Sequence, residues 1–129
     1  MILLAATLAL IVQDPDLDCR HPVNQADMNG CAEAEFVRAD AELNRAWRAA
    51  LPVVREADHD AAFDHDGRPS GESQLLASER AWLAFRDAQC TLEGYDMRGG
   101  TAEAMVYSQC RARLTRERTV QLRRLAQPN

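Results

Sequence analysis

Apolar residues recur at helical spacing in three stretches of the chain. In the first, Phe36, Ala39, Leu43, Ala46 and Ala50 form a stripe, with Trp47 one turn beyond Leu43. This predicts a helix from near Asn24 to about Leu51, with Pro52 as its stop unless Val53 to Arg55 continue after a kink. Residues 56–72 carry charge, Gly and Pro, and read as a linker. A second helix is expected after Ser70-Gly71, running to about Glu93. Its stripe is Leu75, Ser78, Trp82, Phe85 and Gln89, flanked by Leu76, Leu83 and Cys90. Residues 94–100, GYDMRGG, form a turn. The third helix opens at Thr101 as N-cap, with Glu103 in its first turn, and runs to about Ala126. Tyr107, Cys110, Leu114, Arg118, Leu122 and Leu125 share one of its faces. No run alternates as a strand would, and no repeat is present. The expected fold is all-α: a small three-helix bundle, up-down-up.

Met1 to Val12 is apolar and uncharged, too short to span a bilayer and of the length of a signal-peptide core. Residues 1–13 are therefore read as a signal peptide and 14–129 as a single domain. No Lys or Arg precedes the run, as a full signal peptide would have, and an ordinary apolar N-terminal helix is the alternative. Lipidation is disfavoured, because Cys19 follows Asp16-Leu17-Asp18 rather than small apolar residues. Composition adds that the core is poor in aromatics: 47% of residues are hydrophobic but only 5% aromatic, with alanine supplying much of the difference. The net charge of -5 disfavours a nucleic-acid partner.

The four cysteines, Cys19, Cys31, Cys90 and Cys110, suit an exported chain with two disulfides, for which three connectivities exist. Zinc is disfavoured by the absence of paired C-x-x-C knuckles, and thiol catalysis by the lack of C-x-x-C or an adjacent His. In an up-down-up bundle, Cys31 and Cys110 fall at similar depths in the first and third helices. Cys19 and Cys90 fall near the same end. Matching heights favours Cys31–Cys110 and Cys19–Cys90, each bridge contributing about 2–4 kcal/mol.

Several polar residues interrupt the apolar stripes. Asp40 and Asn44 lie between Phe36 and Trp47, Arg86 between Trp82 and Cys90, and Arg118 between Leu114 and Leu122. Asp87 adjoins Arg86. Buried charges must pair, so Asp40, Arg86 and Arg118 are expected to form an interhelix network with Asp87, bridged by Asn44. A ligand-recognising groove is the weaker reading. A catalytic carboxylate pair is weaker still, because no nucleophile, oxyanion motif or metal site accompanies it.

Residues 39–47, ADAELNRAW, resemble the AD-x-x-LN-x-x-(aromatic) motif of the LprI-type lysozyme-inhibitor family. Residues 79–90, ERAWLAFRDAQC, are similar to its (Q/E)-RAW-x-x-FRD-x-x-C motif. The run from Cys110 to Leu122 is similar to its C-terminal C-x-x-x-(L)T-x-x-R-x-x-x-L. Cys31 after Asp27-Met28-Asn29 fits the family's first helix. The resemblance spans about residues 19–125. It implies a secreted or periplasmic, disulfide-bonded helical domain, inhibition of a c-type lysozyme, and no catalytic residues. The chain departs from the family's lipoprotein form in lacking a lipidation site, and its linker has no counterpart motif.

Other signals carry less. Asp64-His65-Asp66-Gly67 suggests a calcium loop, but with Gly67 at position six, Ala62 and Ser73 stand where the anchor carboxylates belong. His59, His65 and their acidic neighbours read as a solvated linker rather than a metal site. Arg111, Arg113, Arg116, Arg118, Arg123 and Arg124 could touch an anionic polymer or simply complement the helix dipole. From Asp14 to Asp66 there are 13 acids against 5 arginines, net -8, and from Gly67 onward the net is +3. An acidic half can steer a basic lysozyme, with Glu56, Asp58, Asp60, Asp64 and Asp66 as the expected contact residues. The alternative function is a non-catalytic envelope interaction or stress module. No cofactor or metal is expected, no integral membrane segment after signal cleavage, and a monomer.

Overall fold

The structure is a computed structural model, and it describes residues 17–60 and 66–127. The segment read as a signal peptide lies outside them. Of the described residues 81% are helical, in α1 (Gln25–Asp60), α2 (Gly71–Gly94) and α3 (Glu103–Leu125), with a single 3-10 turn at Tyr95–Met97. Among the described residues there is no strand, and the architecture is the three-helix bundle expected from the periodicity.

Asn24 starts α1: its Oδ1 accepts the Asp27 N–H at 2.8 Å, and Asp27 in turn accepts the Val23 N–H. The helix does not stop at Pro52 but continues through it to Asp60. An interior proline removes one hydrogen bond and costs about 3 kcal/mol. Pro52 sits on the exposed side, where water can take the freed carbonyl. Its neighbours Leu51 and Val54 pack on the core cluster of Leu43, Ala46, Leu75 and Leu122. The expected linker is shortened accordingly, and Glu56, Asp58 and Asp60 lie on a helix.

Ser70 caps α2, its Oγ accepting the Ser73 N–H at 3.1 Å. The Asp58 carboxylate reinforces this start by accepting the N–H groups of Gly71 and Glu72 at 2.7 and 2.9 Å. Gly71 is required for that approach: a Cβ there would stand 2.9 Å from Asp58 Oδ1 and 3.1 Å from Val54. The buried row of α2 is Leu75, Arg86, Cys90 and Gly94, with Trp82 half-buried among them. Phe85, expected on this row, is 54% exposed instead. Arg86 takes the inward position one residue on, which turns Phe85 to the flank.

The turn into α3 uses Gly99 at φ 78°. Thr101 does not cap α3; Ala102 holds the cap position without a side-chain bond, and Glu103 reaches back to accept the Gly99 N–H at 2.8 Å. Tyr107, Cys110, Leu114 and Arg118 form the face toward α2, linked to it by the Cys90–Cys110 and Arg118–Glu79 pairs. Leu125, expected at its end, is half-exposed. A second buried row, Ser108, Ala112, Thr115 and Thr119, completes α3. It faces α1, whose buried residues are mostly alanines: Ala32, Ala39, Ala46 and Ala50. Small side chains on both helices allow close approach along most of their length.

The disulfides are Cys19–Cys31 and Cys90–Cys110, with Cα separations of 5.5 and 5.4 Å. Neither expected pairing, Cys31–Cys110 or Cys19–Cys90, occurs. Cys31 and Cys110 match in depth but not in direction, since Cys110 points to α2. Cys31 instead meets the segment before α1, where Leu17 also packs on Gly30 at 3.1 Å from where a Cβ would be.

Candidate functional site: an arginine–aromatic ladder between the helices

Trp82 and Arg86 are one turn apart on α2, as are Tyr107 and Arg111 on α3. That spacing stacks each guanidinium on its own helix's aromatic ring. Arg111 lies 4.3 Å from the Tyr107 ring centroid and 3.9 Å from that of Phe36 on α1. Arg86 lies 5.1 Å from both Phe36 and Trp82, and Arg118 lies 6.0 Å from Trp82. The order Tyr107, Arg111, Phe36, Arg86, Trp82, Arg118 is a ladder of alternating rings and cations crossing all three helices.

Each cation has a carboxylate. Arg86, only 7% exposed, donates from Nε to Asp87 at 2.9 Å. Its Nη1 lies 3.7 Å from Asp40 and donates to the Thr115 hydroxyl at 3.4 Å. Asn44 donates to the other oxygen of Asp40 at 3.2 Å. Arg111 donates to Glu33, which also accepts the Ser108 hydroxyl at 2.6 Å. The structure thus brings together Asp40, Asn44, Arg86 and Asp87. It does not bring Arg118 to Asp40. Arg118 donates to Glu79 at 2.9 Å, to Ser78 and to Gln121. Arg118 lies within about one turn of the level of Asp40 but faces α2, where Glu79 and Ser78 stand across from it.

Sequence reasoning passed over Glu33, Glu79 and the ladder role of Arg111. One signal was available. Both glutamates stand three residues before an aromatic, Glu33 before Phe36 and Glu79 before Trp82, and so lie on the same side of the helix as that ring.

The basic residues of α3 are largely spent within the fold. Arg111, Arg113, Arg116, Arg118 and Arg123 pair with Glu33, Glu93, Glu35, Glu79 and Glu42. Three of these pairs, with Glu33, Glu35 and Glu42, join the acidic first half to the basic second half across the α1–α3 seam. Glu93 is held below the usual carboxylate range, first by the Gln89 side chain and then by Arg113.

The acids expected to contact a partner divide into two groups. Asp58 is committed to the start of α2, and the Glu72 and Gly71 N–H groups hold its carboxyl below the usual range. Asp66 is likewise lowered by the Arg68 side chain and backbone. Glu56 and Asp60 are exposed at the end of α1. Asp64 lies outside the described residues.

These features define a disulfide-stapled, all-helical domain braced by internal ion pairs. The family described as lysozyme inhibitor LprI matches residues 19–122, and the chain belongs to that family. An uncharacterized protein of Rhizobium meliloti (strain 1021) is 40% identical over 125 residues, covering 96% of this chain and 89% of the relative. The uncharacterized protein YecT of Escherichia coli (strain K12) is 30% identical over 92 residues, covering 64% of this chain and 56% of the relative. The fold is similar to the crystal structure of a DUF1311 family protein from Pseudomonas putida KT2440, with a TM-score of 0.66 and 27% identity. That likeness covers 84% of this chain and 98% of the other. The family is one of inhibitors rather than catalysts. Among the described residues no helix is long and apolar enough to cross a membrane.

Proposed function

We propose that this chain is a secreted or periplasmic protein that binds a c-type lysozyme and inhibits it by protein–protein contact. Membership of the LprI family across residues 19–122 carries this reading. The two disulfides and the apolar run Met1–Val12 support export. The ladder carboxylates are engaged by arginines, so the cluster of Asp40, Asn44, Arg86 and Asp87 and the separate Arg118–Glu79 pair brace the fold and take no part in chemistry. Of the five acids expected at the contact, Asp58 and Asp66 have internal duties and Asp64 lies outside the described residues, so Glu56 and Asp60 at the end of α1 are the described pair that would attract a basic partner.

The test is a turbidity assay of cell-wall lysis with purified chain and a c-type lysozyme, together with surface-plasmon rates. Micromolar chain should suppress lysis. Glu56→Gln with Asp60→Asn should slow association severalfold at low salt, with a smaller effect at high salt, and leave the melting temperature unchanged. If no lysozyme is bound or inhibited at micromolar chain, the reading fails and a non-catalytic envelope interaction module replaces it. If inhibition persists but those substitutions leave the on-rate unchanged, the contact lies elsewhere on the fold.

A further inference from the structure

The outward face of α2 is the least expected surface of the molecule. A helix at the edge of a bundle normally turns charged residues to water. Here Ala77, Ala81, Ala84, Phe85, Ala88 and Leu92 are all exposed, Phe85 by 54% and Leu92 by 61%. No charged side chain interrupts them, although 27% of the chain is charged. α1 and α3 lie behind α2, so nothing among the described residues covers this face.

We propose that a second copy of this chain covers it, through an antiparallel α2–α2 pair about a two-fold axis between positions 84 and 85. The argument is self-complementarity. In that register Leu92 of one copy falls opposite Ala77 of the other, Phe85 opposite Ala84, and Ala81 opposite Ala88. Every large side chain meets a small one, and the alanines recur at the four-three-four spacing that keeps one seam facing a partner helix.

The flank agrees. Arg80 and Asp87 are two turns apart on the same edge of the face, and both are exposed. Antiparallel pairing brings each edge against its own counterpart reversed. Arg80 of one copy then lies about 3 Å along the axis from Asp87 of the other, and symmetry makes the pair twice. A parallel pairing would set this edge against the opposite flank of the face, which holds Ser78 and Gln89, and both ion pairs would be lost. The facing strip from Ala77 to Leu92 is about 23 Å long and about 10 Å wide, so it buries about 450–500 Å² in total. That is below the size of a permanent interface and sets a weak, concentration-dependent dimer, half-formed on the order of 100 µM. This departs from the expected monomer. It is independent of lysozyme binding, since the face lies apart from Glu56 and Asp60.

Sedimentation equilibrium of the purified full chain from 10 µM to 1 mM tests it. The expected result is a mass that rises from one chain toward two. Ala84→Glu, a substitution at an exposed helical position, should weaken association at least 100-fold with an unchanged circular dichroism melt. Phe85→Ala should weaken it about 10-fold, and Arg80→Glu about 3- to 10-fold. A single-chain mass at 1 mM overturns the proposal. So does association that survives both Ala84→Glu and Phe85→Ala, which would place the contact on another surface. An Arg80→Glu chain that dimerises as well as the wild type overturns the antiparallel register.

Discussion

The α1–α3 seam and the attachments of α2 hold the same bundle together in different ways. Along the seam, alanines of α1 meet the Ser, Ala and Thr of α3, and the ion pairs Glu33–Arg111, Glu35–Arg116 and Glu42–Arg123 span the two helices. Many small contacts share the load. α2 is attached by a few large groups, Leu75, Trp82 and Arg86, by one disulfide and the Asp58 cap, and by the pairs Arg118–Glu79, Arg113–Glu93 and Arg55–Glu72. A distributed seam loses little when one contact is weakened. A sparse attachment concentrates its free energy in single residues, so α2 is the element most easily released by a point substitution.

Arg118→Ala should break that attachment hardest. Its partner Glu79 is only 14% exposed, and stranding a buried carboxylate costs about 3–5 kcal/mol. Urea unfolding reads the loss. Amide exchange should quicken across α2 before it does along the seam, and adding Glu79→Gln should recover part of the stability. Uniform exchange in all three helices would erase the distinction between the two regions.

The disulfides sharpen the contrast. Replacing Cys90 and Cys110 by serine should cost about 3 kcal/mol, since the bridge closes a 20-residue separation between two helices. Replacing Cys19 and Cys31 should cost less than about 1 kcal/mol. The freed segment before α1 can fray in the native state, which offsets the entropy regained on unfolding. Thermal melts of the two double variants, compared at equal concentration, decide the order.

The smallest effect is at the start of α2. Asp58 has its pKa lowered by two N–H donors, so its stabilisation is complete above the unfolded carboxylate value near about 4 and is lost as pH falls through the lower folded value. The melting temperatures of wild type and Asp58→Asn should differ at pH 7 and converge toward pH 2. A constant difference across that range would mean that the carboxylate charge contributes nothing.

Helix number, order and the α2-facing row of α3 were legible in the sequence, because large apolar residues at a period near 3.6 mark a buried face without help from neighbours. The α1-facing row of α3 was not. Ser108, Thr115 and Thr119 look like surface residues, and only the alanines opposite them make burial cheap. Thr119 meets its own need by donating to the Thr115 carbonyl at 2.8 Å. Pro52 misled for a related reason: local propensity says stop, while Leu51, Val54 and Asp58 hold the next turns by tertiary contact. The polar cluster was legible in its members around Arg86 but not in the partner of Arg118, since register between helices is set by packing that no single helix encodes. The disulfide partners failed on direction, which a depth argument ignores.

Because Cys19 joins Cys31 and Cys90 joins Cys110, each bridge links cysteines adjacent in order along the chain. A chain threaded from its N-terminus into an oxidising space presents each pair together and finishes the first before the second arrives. An oxidant that joins thiols simply in order of arrival already produces the native set. Oxidative maturation of this domain therefore needs a donor of disulfides but no shuffling enzyme to correct them.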